Sequence, residues 1–179
     1  MTNIQNAAVT KPAGKVLYDS VGAHHQILNV ESGATVYPGG LVLQGTDDDD
    51  IVTCGAGGEG FGWAGYEDTP KKYRPATIDT LYVTLDRIDV INGPGIIVRA
   101  RLQNGQNVPK GTRLVAGAAG ELLAASTAAP PSGTVAVVST GAQPVAAGPL
   151  STQGMVVAIA YESVNASGGA LPILVTSLI

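Results

Sequence analysis

Leu81-Tyr82-Val83-Thr84-Leu85-Asp86-Arg87-Ile88-Asp89-Val90 and Ile96-Ile97-Val98-Arg99-Ala100-Arg101-Leu102, parted by Asn92-Gly93-Pro94-Gly95, decide the fold class. Both runs are rich in β-branched residues, and the second alternates apolar residues with Arg, which is how a strand with one wet face reads. The Gly and Pro between them suit a chain reversal, so the pair reads as a β-hairpin. Working outward, short apolar runs at 26–30, 41–44, 80–85, 95–102, 134–139, 155–161 and 171–179 stand between Gly, Pro, Asn and Asp. No window of a dozen residues carries apolar positions at helical spacing between a cap and a stop. The chain reads as all-β.

The two halves echo each other. Tyr37-Pro38-Gly39-Gly40-Leu41-Val42-Leu43, then Asp50-Ile51-Val52, then Trp63-Ala64-Gly65-Tyr66-Glu67-Asp68 form three blocks. Pro109-Lys110-Gly111-Thr112-Arg113-Leu114-Val115, then Glu121-Leu122-Leu123, then Ala158-Ile159-Ala160-Tyr161-Glu162-Ser163 repeat them in the same order. Turn chemistry alone makes Pro and Gly converge, so the echo has two readings: generic turns, or a half-barrel unit used twice to close one compact barrel. A solenoid would need at least three repeats.

Composition bounds the function. The 179 residues are 45% hydrophobic, 13% charged and 4% aromatic, with 24 Gly, 11 Pro and a net charge of −4. Charge is about half the usual share of roughly 25%, and the apolar share is ordinary, which excludes a disordered chain. A chain this long can bury roughly 70% of its unfolded surface without staples. Ten Lys and Arg, clustered only at Lys71, Lys72 and Arg74, argue against a nucleic-acid or polybasic membrane binder. No secretory leader and no run of ~18 apolar residues is visible. From Leu122 to Ile179 the only charged side chain is Glu162. Such a surface favours contact with other subunits, unless its Ser, Thr, Gln and Asn solvate it well enough.

The first residues differ from the rest. Residues 1–25 read as an extended arm and 26–179 as a single β-barrel domain. Thr10-Lys11-Pro12-Ala13-Gly14-Lys15 is a spacer before Val16, Leu17 and Tyr18. The arm is either a tail packing partly on its own domain or a segment ordered against a partner.

Pro-Gly-x-Leu-Val, a strand ending Tyr-Glu-Asp, Gly105-Gln106-Asn107-Val108-Pro109-Lys110-Gly111-Thr112-Arg113-Leu114, an acidic turn before Leu122-Leu123, and Val156-Val157-Ala158-Ile159-Ala160-Tyr161-Glu162-Ser163 together resemble tailed-bacteriophage head decoration, or cement, proteins. The resemblance spans residues 33–163. It implies a compact, β-tulip-like barrel with an N-terminal arm, made in the host cytoplasm. Such a protein sits outside an icosahedral head, often as a homotrimer, and clamps neighbouring copies of the major capsid protein. Neither the arm nor Asp47-Asp48-Asp49-Asp50 belongs to a pattern that matches, and the resemblance transfers no catalytic residue.

Chemistry-bearing residues are few. Adjacent strand residues point to opposite faces, so His24 and His25 cannot readily share a metal. Asp47 to Asp50 lack the alternating spacing and distal Glu of a calcium loop, and read as a solvated turn. Cys54 has no neighbouring base, and one Cys forms no intrachain disulfide or zinc site. Gly55-Ala56-Gly57-Gly58-Glu59-Gly60 lacks the Lys and helix of a phosphate loop and reads as a flexible loop. Asn165-Ala166-Ser167 is a glycosylation triplet that needs a secretory route. Trp63 and Tyr66 read either as core or as interface anchors, and with Val16, Leu17 and Tyr18 they are the candidate interface residues. The expectation is a non-enzymatic virion protein on the capsid exterior, with no cofactor, metal, small-molecule substrate, nucleic acid or membrane. The alternative is a head fibre base or tail component recognising a host-surface glycan, which the low aromatic content disfavours. Under the first reading, deletion of residues 1–20 leaves the barrel folded and weakens head binding.

Overall fold

The computed structural model describes residues 22–66, 80–125 and 155–179, together with residue 14 and the backbone of strand β1 (Val16–Tyr18). The run at 134–139, the basic cluster at 71–74 and residues 1–13 lie outside the described residues. β2 (His24–Val30), β3 (Leu41–Gln44), β4 (Asp50–Thr53), β5 (Gly62–Ala64) and β6 (Arg87–Asn92) close a barrel in the order β2-β4-β3-β5-β6. After them come β7 (Ile97–Leu102), β8 (Asn107–Val108), β9 (Arg113–Ala116), β10 (Leu122–Ala124), β11 (Val156–Ala160), β12 (Val164–Asn165) and β13 (Leu171–Ser177). Strands β7-β10-β9-β11-β13 form a second ring, which β13 closes by pairing with β7. The all-β barrel class is as the strand pattern predicts.

The two rings are one topology used twice. In each, the first strand pairs parallel with the third and every other pairing is antiparallel. The registers match as well. Val30 faces Ile51 as Leu102 faces Leu122. Gln44 faces Ile51 as Ala116 faces Leu122. Leu41 faces Trp63 as Arg113 faces Ile159. Gln26 faces Val90 as Val98 faces Val175. Even the small β8–β12 ladder has its counterpart, the bridge between Val36 and Tyr82.

This corrects three expectations. Each repeat closes its own barrel rather than supplying half of one. By register Trp63 matches Ile159, so aligning the two Tyr-Glu pairs places the third block one residue out. And the opening pair is not a hairpin: β6 pairs with β2 and β5, whereas β7 pairs with β1, β10 and β13. Asn92-Gly93-Pro94-Gly95 carries one strand path from the first barrel into the second. The link is held by the last strand, because Gly93 N–H donates to Ile179 O and Gly95 N–H to Ser177 O. The strand expected at 80–85 begins instead at Arg87. Val83 to Asp86 form a tight turn, with Asp86 N–H donating to Val83 O and Leu85 at φ 67.

Period-2 alternation fills each barrel. Leu28, Val30, Val42, Ile51, Ala64, Ile88 and Val90 form the first core, with Tyr82 sealing it through an OH bond to Gly65 O at 3.0 Å. Val98, Ala100, Leu102, Leu114, Leu122, Val157, Ile173 and Val175 form the second. Leu41, Cys54 and Trp63 belong to the first barrel's strands and their ends but pack into the second cluster. Because neighbours on a strand point oppositely, Val42 and Ala64 face inward while Leu41 and Trp63 plug the other barrel. Trp63 is fully buried, and its Nε1–H donates to Ser177 Oγ at 3.0 Å. Where the first barrel uses Leu41 and Trp63 to dock, the second has the exposed Arg113 and the half-buried Ile159. That face therefore lacks the apolar pair that seats the first barrel on the second.

Candidate functional site

The joint between the barrels is crossed by backbone and side-chain hydrogen bonds. Gly57 N–H donates to Ala116 O, Gly120 N–H to Cys54 O, and Arg101 N–H to Gly39 O. The Gly-rich loop at 55–60 is thus tied to the second barrel at Gly57. On β7, Val98, Ala100 and Leu102 point into the barrel, and Ile97, Arg99 and Arg101 point out of it, yet all six are buried. Arg101 donates from Nε to Glu121 Oε1 at 3.0 Å and lies over the Tyr37 ring at 4.2 Å. Arg99 stands 4.0 Å from Glu162. Burial holds the Arg99 guanidinium below its usual basicity, and Glu162 works against that shift.

The arm's described residues lie on the chain's own barrels. Gly14 N–H donates to Arg99 O in the second barrel, and Gly14 O accepts from Tyr66 N–H in the first. Its φ is 83, and a Cβ there would stand 2.6 Å from both Ala64 O and Tyr66 N, so only Gly fits. Val16 and Tyr18 then pair with Val98 and Ile97. β10 reaches β7 only at Leu102, so β1 fills the rest of that edge. Of the candidate interface residues, Val16, Leu17 and Tyr18 are strand β1, and Tyr66 lies buried beside Gly14. Trp63 is enclosed inside the chain, so its indole joins barrel to barrel and offers no surface to a partner. Deleting residues 1–20 would remove β1 as well, so removal of residues 1–13 is the cleaner test of the arm. His24 and His25 already belong to β2, inside the expected arm boundary.

His25 Nδ1 and Asp89 Oδ2 are 2.7 Å apart on the exposed face of β2 and β6. Asp47 to Asp50 make the β3–β4 turn, next to Glu31, whose carboxylate accepts from Thr46 N–H and Oγ1–H. Among the described residues no three His, Cys, Asp or Glu side chains converge on a metal position. Cys54 is buried, which pushes its thiol up, offset in part by a backbone hydrogen bond with Gly60. Among the described residues no helix is long and apolar enough to cross a membrane.

The charge-poor stretch gains a geometry. Glu162, its single charge, accepts from Leu174 N–H at 2.8 Å and faces Arg99. Met155, Leu171 and Leu178 of the same barrel stand exposed at 48%, 40% and 43%. The sequence located the stretch, but not that its one charge is turned to internal bonds.

No protein-family model matches the chain. Nor does any curated protein match it in sequence. Among solved structures, the head fibre gp8.5 N base of bacteriophage phi29 is similar, with a TM-score of 0.45 and 14% identity over 88% of this chain and 99% of that one.

Proposed function

We propose that this chain is a non-enzymatic decoration protein that binds the outside of a phage head and cements neighbouring major capsid subunits. The observation that carries the reading is the second barrel's surface. Its described strands and turns from Leu122 onward hold one charge, Glu162, bonded internally, and three exposed large apolar side chains. Such a surface is costly in water and is stabilised when another protein covers it, at roughly 25 cal/mol per Å² of apolar area. The sequence resemblance to decoration proteins supports the same reading. A protein of this kind acts by addition. Many copies, each burying on the order of a thousand Å² across a seam, raise the cost of rupturing the shell, and a homotrimer multiplies the contacts made at one site.

The test is co-sedimentation of the purified protein with undecorated heads of the phage that encodes it, beside a glycan panel. Saturable head binding with no glycan binding is expected. Glycan binding without head binding would replace this reading with that of a host-recognition module.

A further inference from the structure

Because the barrels are equivalent, each can be read against the other. β7 has one edge shared between β10, at Leu102, and β1, at Ile97 and Val98. Its counterpart β2 meets β4 only at Asn29 and Val30, and among the described residues no strand takes the rest of that edge. Asn29 N–H donates to Asp49 O and Glu31 N–H to Ile51 O, away from β6. In an extended strand alternate residues share a direction, so His25 and Ile27 turn their backbone groups to the same open side. Burial follows occupancy. Ile97 and Arg99, beside β1, are 7% and 5% exposed, whereas the equivalent His25 and Ile27 have a 51% exposed side chain and a 62% exposed residue. Natural open edges are guarded by charge, Pro or bulges. β2 holds no Pro and no Asp, Glu, Lys or Arg.

We infer that this edge of β2, at His24 to Ile27, is an acceptor for a strand from a second copy of the chain, namely residues 134–139. That run, Thr134-Val135-Ala136-Val137-Val138-Ser139, is rich in β-branched residues, uncharged and free of Pro, and Val16-Leu17-Tyr18 in the filled slot is likewise uncharged and free of Pro. It belongs to an excursion that the first barrel lacks: residues 54–61 join β4 to β5, while residues 125–155 join β10 to β11. Half of such an excursion extends roughly 40–50 Å at ~3.3 Å per residue, enough to reach a neighbour. An added strand supplies main-chain hydrogen bonds for affinity and covers Ile27 for specificity.

The test uses the full chain and three variants: Ile27→Pro, which removes an outward N–H; Ile27→Lys, which keeps that N–H and charges the edge; and a chain with residues 126–154 replaced by a short Gly-Ser link. Sedimentation should show wild type associating with concentration, and the variants about tenfold or more weaker. Hydrogen exchange at the His25 and Ile27 amides should slow about tenfold on association, and likewise in the linked variant when a synthetic peptide of residues 132–141 is added. The peptide arm does not depend on either Ile27 variant folding. Four outcomes each overturn the inference: a wild type monomeric at all concentrations, association that survives loss of residues 126–154, protection of those amides in the monomer, or no effect of the peptide.

Discussion

Gly14→Ala puts a number on the seam. The new Cβ would stand 2.6 Å from Ala64 O and from Tyr66 N, distances no real Cβ tolerates, at a φ of 83. A left-handed backbone costs an L residue about 1–2 kcal/mol. The two hydrogen bonds of Gly14, to Arg99 O and from Tyr66 N–H, contribute about 0.5–1.5 kcal/mol each and are lost if the segment lifts away. The chain takes the cheaper of the two, strain while docked or loss of both bonds on lifting, so the cost is about 1–3 kcal/mol. The loss has a ceiling, since the arm can undock instead of enduring the clash, so Gly14→Ala should cost no more than deletion of residues 1–18. The assay is urea unfolding followed by fluorescence of Trp63, the one Trp, whose indole sits at the joint. In thermal melts the fall should be roughly 3–10 °C for a chain of this size. Stability within about 0.5 kcal/mol of wild type, where neutral surface changes lie, would refute the pinched seat.

Four further outcomes concern the same joint. Ser177→Ala strands the Trp63 Nε1–H inside the second core and should cost about 1–3 kcal/mol by urea melt, while Trp63→Ala should cost about 3–5 kcal/mol. Glu121→Gln replaces the carboxylate that accepts from Arg101 Nε–H at a buried site with a neutral amide; a loss of about 1.5–3 kcal/mol in the same melt is expected, and a neutral result would show the pair to be solvated. The Cys54 thiol, buried and pushed up, should react with a thiol reagent at neutral pH only as the chain unfolds, so reaction rate should track urea concentration.

How much was legible in the sequence follows from what each device leaves on the chain. Alternation in residues 96–102 marks a strand wherever it pairs, so the all-β class was readable. Its partner was not, because Asn-Gly-Pro-Gly suits a hairpin and a crossover equally well. The repeat was visible through turns that need Pro38-Gly39 and Lys110-Gly111 at the same place in each barrel. That each copy closes alone depends on β2 and β7 accepting a parallel partner, and no local pattern encodes that. Trp63 reads as core or anchor on any strand. Only the alternation that turns Val42 and Ala64 inward sends it to the second barrel. Gly14 looked like spacer, since its demand comes from Ala64, Gly65 and Tyr66, far along the chain.

The most direct measurement is a subnanometre electron-microscopy map of heads reconstituted with this protein, set against bare heads. The account predicts added density on the outer surface, over seams between capsid subunits, into which the paired barrels fit with the charge-poor strands from Leu122 onward against a neighbouring protein. Heads that stay bare, or density confined to the tail, would contradict it.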